Sequence, residues 1–206
     1  MTPSRVLKFA IALCVVFFAA EKLRVHWADQ RLLERAAPLQ VLADSPVQTA
    51  TSDAPFALGD YQVRPLAAFA LRARVLSSEN YYLGKEADLS HIDLALGWKR
   101  MADPAVYGQL SMSQSGRWFH YSWEDEPPIP LQEINESSAN MHMIAATPAV
   151  ERVLQKARKG AYISLTGKLV EVTDPSGWRW TSSLSRTDSG GGACELMYVE
   201  FAQVEN

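Results

Sequence analysis

The chain has 206 residues, 48% hydrophobic and 21% charged, the composition of a folded domain rather than of a disordered or low-complexity protein. Lys and Arg number 20 against 23 Asp and Glu, a formal net charge of −3; no general attraction to a phosphate backbone follows, and nucleic acid is not an expected partner. The two cysteines, Cys14 and Cys194, form neither a disulfide framework nor a CxxC metal or redox pair.

At the N-terminus, Arg5 and Lys8 bracket the entry to an apolar run over residues 9–20 (FAIALCVVFFAA). A cleaved signal needs small residues at −3 and −1, and Phe18 and Phe17 occupy −3 for Ala20 and Ala19. Leu13 before Cys14 also argues against a lipoprotein signal. Extended over residues 6–25, with Lys8, Lys22 and Arg24 reaching toward headgroups, the run becomes long enough for an uncleaved anchor. Residues 1–25 are therefore expected to be a single-pass N-terminal transmembrane helix in a bacterial inner membrane. Lys22, Arg24, Arg31 and Arg35 follow the span, so cation counting alone does not place the C-terminal bulk outside. A basic segment before an apolar run is the pattern of an export signal, and a periplasmic C-terminal domain is the expectation. Residues 26–37 read as a juxtamembrane helix stopped by Pro38. Pro46 and Pro55 among Ser, Thr and Ala extend it as a tether, so 26–55 connects the anchor to one globular domain at 56–206.

In that domain residues 66–78 alternate, with Phe69, Leu71, Ala73 and Val75 on one side and Arg72 and Arg74 on the other, as in a half-buried strand. Ser90 and Asp93 have capping-box spacing. The i,i+4 pairs Ile92/Leu96 and Leu94/Trp98 then predict a short helix ending before Pro104, with His91 solvated in its first turn. Residues 106–123 read as one strand bent at Ser115–Gly116 or as a hairpin folded there. Trp118, Phe119, Tyr121 and Trp123 are expected as sheet-face core, with a groove lining as the alternative. Residues 124–130 (EDEPPIP) form a solvated acidic turn. Residues 134–146 lack a helical or strand period, and their Ser137, Ser138, Asn140 and His142 predict a polar loop. Thr147 and Pro148 open a helix with the stripe Val150, Val153, Leu154 and Ala157, closed by Gly160. Residues 161–172 alternate again, with Gly167 marking a bulge or a curved strand.

The last part, after a turn at 174–177, reads as a hairpin: residues 178–184 and 193–201 are its strands, Ser189 to Gly192 its turn, and Arg186 and Asp188 lie at its tip. The inventory is about five strands and two short helices. The fold class is α+β: a mostly antiparallel, small curved sheet or partly closed barrel, OB-like or SH3-like. A helix before the last three strands departs from the usual OB order.

The wording of residues 89–98 (LSHIDLALGW), 137–142 (SSANMH), 167–170 (GKLV) and 182–195 (SSLSRTDSGGGACE) resembles a group of membrane-anchored or exported bacterial proteins without an established activity. The resemblance covers most of 56–201; it implies a bacterial, membrane-associated setting and no catalytic residues. Anchor, tether and small barrel together are also similar to the haem chaperone of cytochrome c maturation. None of His91, His120 or His142 is followed four residues later by the tyrosine of that family.

Two chemistries compete. A hydrolase or transferase would use Cys194 or Ser183 as nucleophile, His142 as base and Asp188 to orient it. There is no G-x-S-x-G elbow, and a lone thiol at a strand start is usually a small core hydrophobe. A metal site from His120, His142 and Cys194 lacks closely spaced ligands, so no metal or other cofactor is expected. The favoured reading is a non-enzymatic binding or assembly domain. In it Arg186 and Asp188, beside Trp178 and Trp180, join Ser137, Ser138, Asn140 and His142 in one polar patch for an envelope protein or a glycan.

Overall fold

The computed structural model describes residues 14, 17–20, 22–24, 45–185, 187–188 and 193–205. Two short strands, β1 (Val47–Thr49) and β2 (Phe56–Leu58), lead into the twenty-residue β3 (Tyr61–Asn80). There follow β4 (Ile92–Gly97), helix α1 (Pro104–Tyr107), β5 (Ser111–Ser115), β6 (Trp118–Ser122), α2 (Leu131–Glu136) and β7 (Ser138–Ala145). Helix α3 (Pro148–Leu154), β8 (Tyr162–Thr173), β9 (Arg179–Thr181) and β10 (Glu195–Glu205) complete the order.

Five of these strands close a ring. β3 pairs with β4, β4 with β7, β7 with β10, β10 with β8, and β8 again with β3. β3 can meet two partners because its residues 62–74 run along β8 and its residues 74–80 along β4. Register shifts at Pro65/Ala67 and Val75/Ser77 supply the curvature, as bulges do in closed sheets. The β7–β10 contact is parallel and every other pairing is antiparallel. Gly167 is where the ring tightens: a Cβ there would stand 2.0 Å from the Tyr198 carbonyl oxygen, opposite the register shift between Val199 and Phe201 of β10. The bulge read at Gly167 thus lies on its partner strand.

Inside the ring, alternate residues of each strand build one apolar core from Phe69, Leu71, Ile92, Leu94, Met141, Met143, Ile163, Leu165, Met197 and Val199. Val150 and Leu154 of α3 join it. That helix starts as read, with Thr147 Oγ1 accepting from Val150 N at 3.2 Å and Pro148 in the first turn, but it ends at Leu154, six residues before Gly160. Two smaller apolar clusters coat the outside. One gathers Val63, Val170, Val172 and Leu196 under Phe56, Trp178 and Trp180; the other packs the β5–β6 hairpin and α2 onto Leu76, Ala95 and Met101.

Several sequence readings change. Residues 92–97, read as helix, are the strand β4, buried at every position. Residues four apart share a face in a strand as well as in a helix, so Ile92/Leu96 could not distinguish the two. The stretch read as a polar loop is the end of α2 followed by β7. Its short polar side chains lie on the outward face of a central strand. Residues 178–184 and 193–201 do not pair as a hairpin: β9 pairs with β8, while β10 runs between β7 and β8. The expected tether contains β1, which pairs with Ala68, Phe69 and Ala70 of β3. Among the described residues no helix is long and apolar enough to cross a membrane. Residues 17–20 and 22–24 are helical, and most of the expected span and all of residues 26–37 lie outside the described residues.

Candidate functional site

The β5–β6 turn places the first key side chain. Gly116 and Arg117 both have positive φ, 55° and 70°, the requirement of a two-residue hairpin turn whose twist matches its strands. The turn directs the Arg117 guanidinium toward the outside of β4. There Nη1 lies 2.6 Å from Asp93 Oδ1 and Nη2 donates to the Ser90 carbonyl at 2.8 Å. The guanidinium also stacks 3.9 Å above the Tyr81 ring, whose hydroxyl accepts from Arg117 N at 3.0 Å.

Asp93 is wholly buried, and a carboxylate there requires compensating charge or hydrogen bonds. Its register partner across the sheet is His142, so the two side chains share the outward face of β4 and β7. His142 Nδ1 stands 2.9 Å from Asp93 Oδ2, off the line that an aligned hydrogen bond would need. Trp180 of β9 closes over the imidazole, ring centroids 4.8 Å apart.

Asn140, one outward position before His142 on β7, joins this network to a cleft. Its Nδ2 donates to the Arg117 carbonyl at 3.0 Å and its Oδ1 accepts from Gln114 Nε2 at 2.7 Å. The cleft, of about 210 Å³, lies between the hairpin and the β9–β10 connection. Trp118, Phe119 and Tyr121 face Ser138, Asn140, Asp188, Cys194 and Glu195 across it, with Trp98 also in the lining. Cys194 Sγ is 3.9 Å from both Asn140 Nδ2 and the Arg117 carbonyl oxygen. Burial, the largest influence, pushes its thiol up to about 11, so it is protonated at neutral pH and a poor nucleophile.

The structure divides the residues that sequence reasoning grouped. Ser138 and Asn140 do meet Asp188 around one cleft. Ser137 is buried beneath it, its carbonyl accepting from Trp98 N at 2.9 Å. His142 belongs to the Asp93 network, and Trp180 covers it. Trp178 packs edge-on against Tyr61 at 6.0 Å. Ser183 is occupied in its turn: Oγ donates to Asp188 Oδ2 at 2.5 Å and accepts from Ser185 N at 3.0 Å. Arg186 lies outside the described residues. The proposed catalytic grouping is thus split, with Ser183 on Asp188 and His142 on Asp93. Among the described residues no three His, Cys, Asp or Glu side chains gather as metal ligands do. A wider hollow of about 560 Å³, with His91, Asp88 and Glu151 on its wall, includes none of the predicted site residues.

Sequence reasoning missed Asp93, Arg117, Tyr81 and Gln114 as members of the site. Gly116–Arg117 at a hairpin centre and Ser90 three residues before Asp93 were the available signals, read as turn and helix cap. Comparisons with protein-family models, curated proteins and solved structures give no match to this chain.

Proposed function

We propose that the chain is a membrane-anchored, non-enzymatic binding or assembly domain of the bacterial envelope, and that it receives its partner in the Trp118–Asp188 cleft. The observation that carries this reading is the convergence of an aromatic wall, exposed at Trp118, with Ser138, Asn140 and Asp188 from distant parts of the sequence, the usual make-up of a recognition site. Anchoring rests on the apolar run at residues 9–20 and its flanking cations. The protonated Cys194 and the occupied Ser183 favour binding over acyl transfer.

An OB-like barrel is the finer fold reading. Numbered within the ring, the strands follow the order 1-2-3-5-4-1 with α3 between the third and fourth. β9 stands outside the ring, so the helix precedes the last two barrel strands, which removes the departure from OB order noted in the sequence. OB barrels bind on the face of their second and third strands and the adjoining loops, and here those strands are β4 and β7.

The test is affinity capture from solubilised membranes of the producing bacterium with the full-length protein. Wild type and Cys194→Ala are expected to retain the same partner and Trp118→Ala to lose it. Equal recovery by all three, or loss with Cys194→Ala alone, would sink the binding reading.

A further inference from the structure

The cleft's chemistry narrows what enters it, on the premise that it is the binding site proposed above. Its aromatic wall is accessible at Trp118, which is 44% exposed; Phe119 and Tyr121 of the same strand, 5.8 Å apart centroid to centroid, are half-buried against the Leu76–Met101 cluster. Ring faces carry negative partial charge. The rim opposite holds the exposed carboxylate of Asp188, with Glu195 buried behind it, and no Lys or Arg among the described residues lines it. Arg117 of the hairpin turn commits its guanidinium to Asp93 and Ser90, while its carbonyl accepts from Asn140 and Cys194.

Other polar groups of the lining are already engaged. Both ends of the Asn140 amide are engaged, and the Ser138 hydroxyl donates to the Ile134 carbonyl at 2.7 Å. Asp188 is exposed, with one oxygen taking the Ser183 hydroxyl, and a carboxylate has acceptor capacity beyond that one bond. An anionic ligand would meet the Asp188 carboxylate and the Trp118 ring. A volume of about 210 Å³ falls below the roughly 300–1,000 Å³ of pockets that enclose drug-sized ligands, which leaves room for one long side chain. We infer that the cleft takes a cationic donor, the guanidinium or ammonium of an arginine or lysine in an exposed segment of a partner protein. The cation lies over the Trp118 face and donates to Asp188, combining cation–π attraction with a charge-assisted hydrogen bond.

The experiment titrates full-length protein in detergent micelles with three capped tripeptides, Gly-Arg-Gly, Gly-Lys-Gly and Gly-Glu-Gly, and with maltotriose, reading the Trp118 indole N–H resonance. The arginine and lysine peptides are expected to shift it saturably and the other two to leave it unmoved. Asp188→Asn, which keeps an acceptor for Ser183, is expected to weaken the arginine peptide about tenfold, and Trp118→Ala, which removes the reporter and is followed by isothermal titration calorimetry, to abolish binding. An equal response to the glutamate peptide, a response to maltotriose only, no response, or indifference to Asp188→Asn overturns the inference. So does binding that appears only in Arg186→Ala, since the chain's own side chain would then be the occupant. If membranes yield a Trp118-dependent partner that the basic peptides do not displace, the binding reading stands and this inference falls.

Discussion

The two faces of β7 are almost equally shielded from water yet are built from opposite chemistry. Inward, Met141 and Met143 are fully buried among the apolar residues of the ring. Outward, Asn140 and His142 are 6% and 4% exposed, against a carboxylate, a guanidinium, an amide and an indole. The inner face is held by area removed from water and tolerates any arrangement of similar volume and shape. The outer face is held by matched partners, each of which leaves another stranded when removed. The cleft sits at the edge of the second kind of surface, and its hairpin wall stands where Arg117 pins it.

The largest effect is expected where the matching is broken at its centre. Asp93→Ala strands Arg117 and His142 together and should destabilise the fold by about 3–5 kcal/mol, measured by urea denaturation. Adding Arg117→Met and His142→Leu to Asp93→Leu should recover most of that loss, because a well-packed apolar set replaces a buried ionic one at little net cost. Met143→Ala on the inner face should cost about 2–5 kcal/mol by opening a cavity, and no polar partner change should restore it. If the triple variant is no more stable than Asp93→Ala, the outer face is not held by charge matching.

The same contrast explains what the sequence disclosed. Inward positions announced themselves by alternation, so Phe69, Leu71, Ala73 and Val75 on β3 and Ile163, Leu165 and Leu169 on β8 were legible as one face. Thr147–Pro148 marked the start of α3 through local chemistry alone. The outward face of β7 was not legible, since Ser138, Asn140 and His142 look like loop residues unless the neighbouring strands are known; the side-chain partners of Asn140 and His142 lie 23 or more positions away. β4 was misread because its apolar spacing satisfies both a helix and a strand. Of the candidate cleft, Ser138, Asn140, Asp188 and Cys194 were named in advance. Asp93 and Arg117 were not, because their meaning lies in a pairing between β4 and a distant hairpin turn.

Cys194 tests the seam between the polar face and the cleft. With its thiol raised from 9.0 to about 11 by burial, Cys194 in a Cys14→Ser background should react with iodoacetamide at pH 8 about 100-fold more slowly than the urea-unfolded chain. The sign of the stability effect follows from the raised value. Below pH 9 the thiol is protonated in both states and contributes nothing. From about 9 to about 11 the unfolded chain releases the proton that the folded chain retains, so stability falls as pH rises through that window. Cys194→Ala should reduce that slope by the thiol's share, leaving the part due to Tyr81, Tyr121 and Tyr198, which burial also raises; a rate within a few-fold of the unfolded chain would place the thiol in water.

The smallest expected effect concerns the inner face at the end of the ring. Seven residues are too few for α3 to persist alone, so its place depends on Val150 and Leu154 in the core and on the cap at its start. Thr147 has extended backbone angles, φ −142° and ψ 159°, which aim its hydroxyl back at the free Val150 N–H. Thr147→Ala leaves that donor to water and should lower stability by about 1 kcal/mol, while Thr147→Ser should be close to neutral. Because α3 touches the ring's interior and the cleft lies outside it, neither substitution should alter the Trp118 indole resonance or its response to the arginine peptide. A cap variant that changed that response would mean the two faces of β7 are mechanically coupled, and the separation drawn between them would fail.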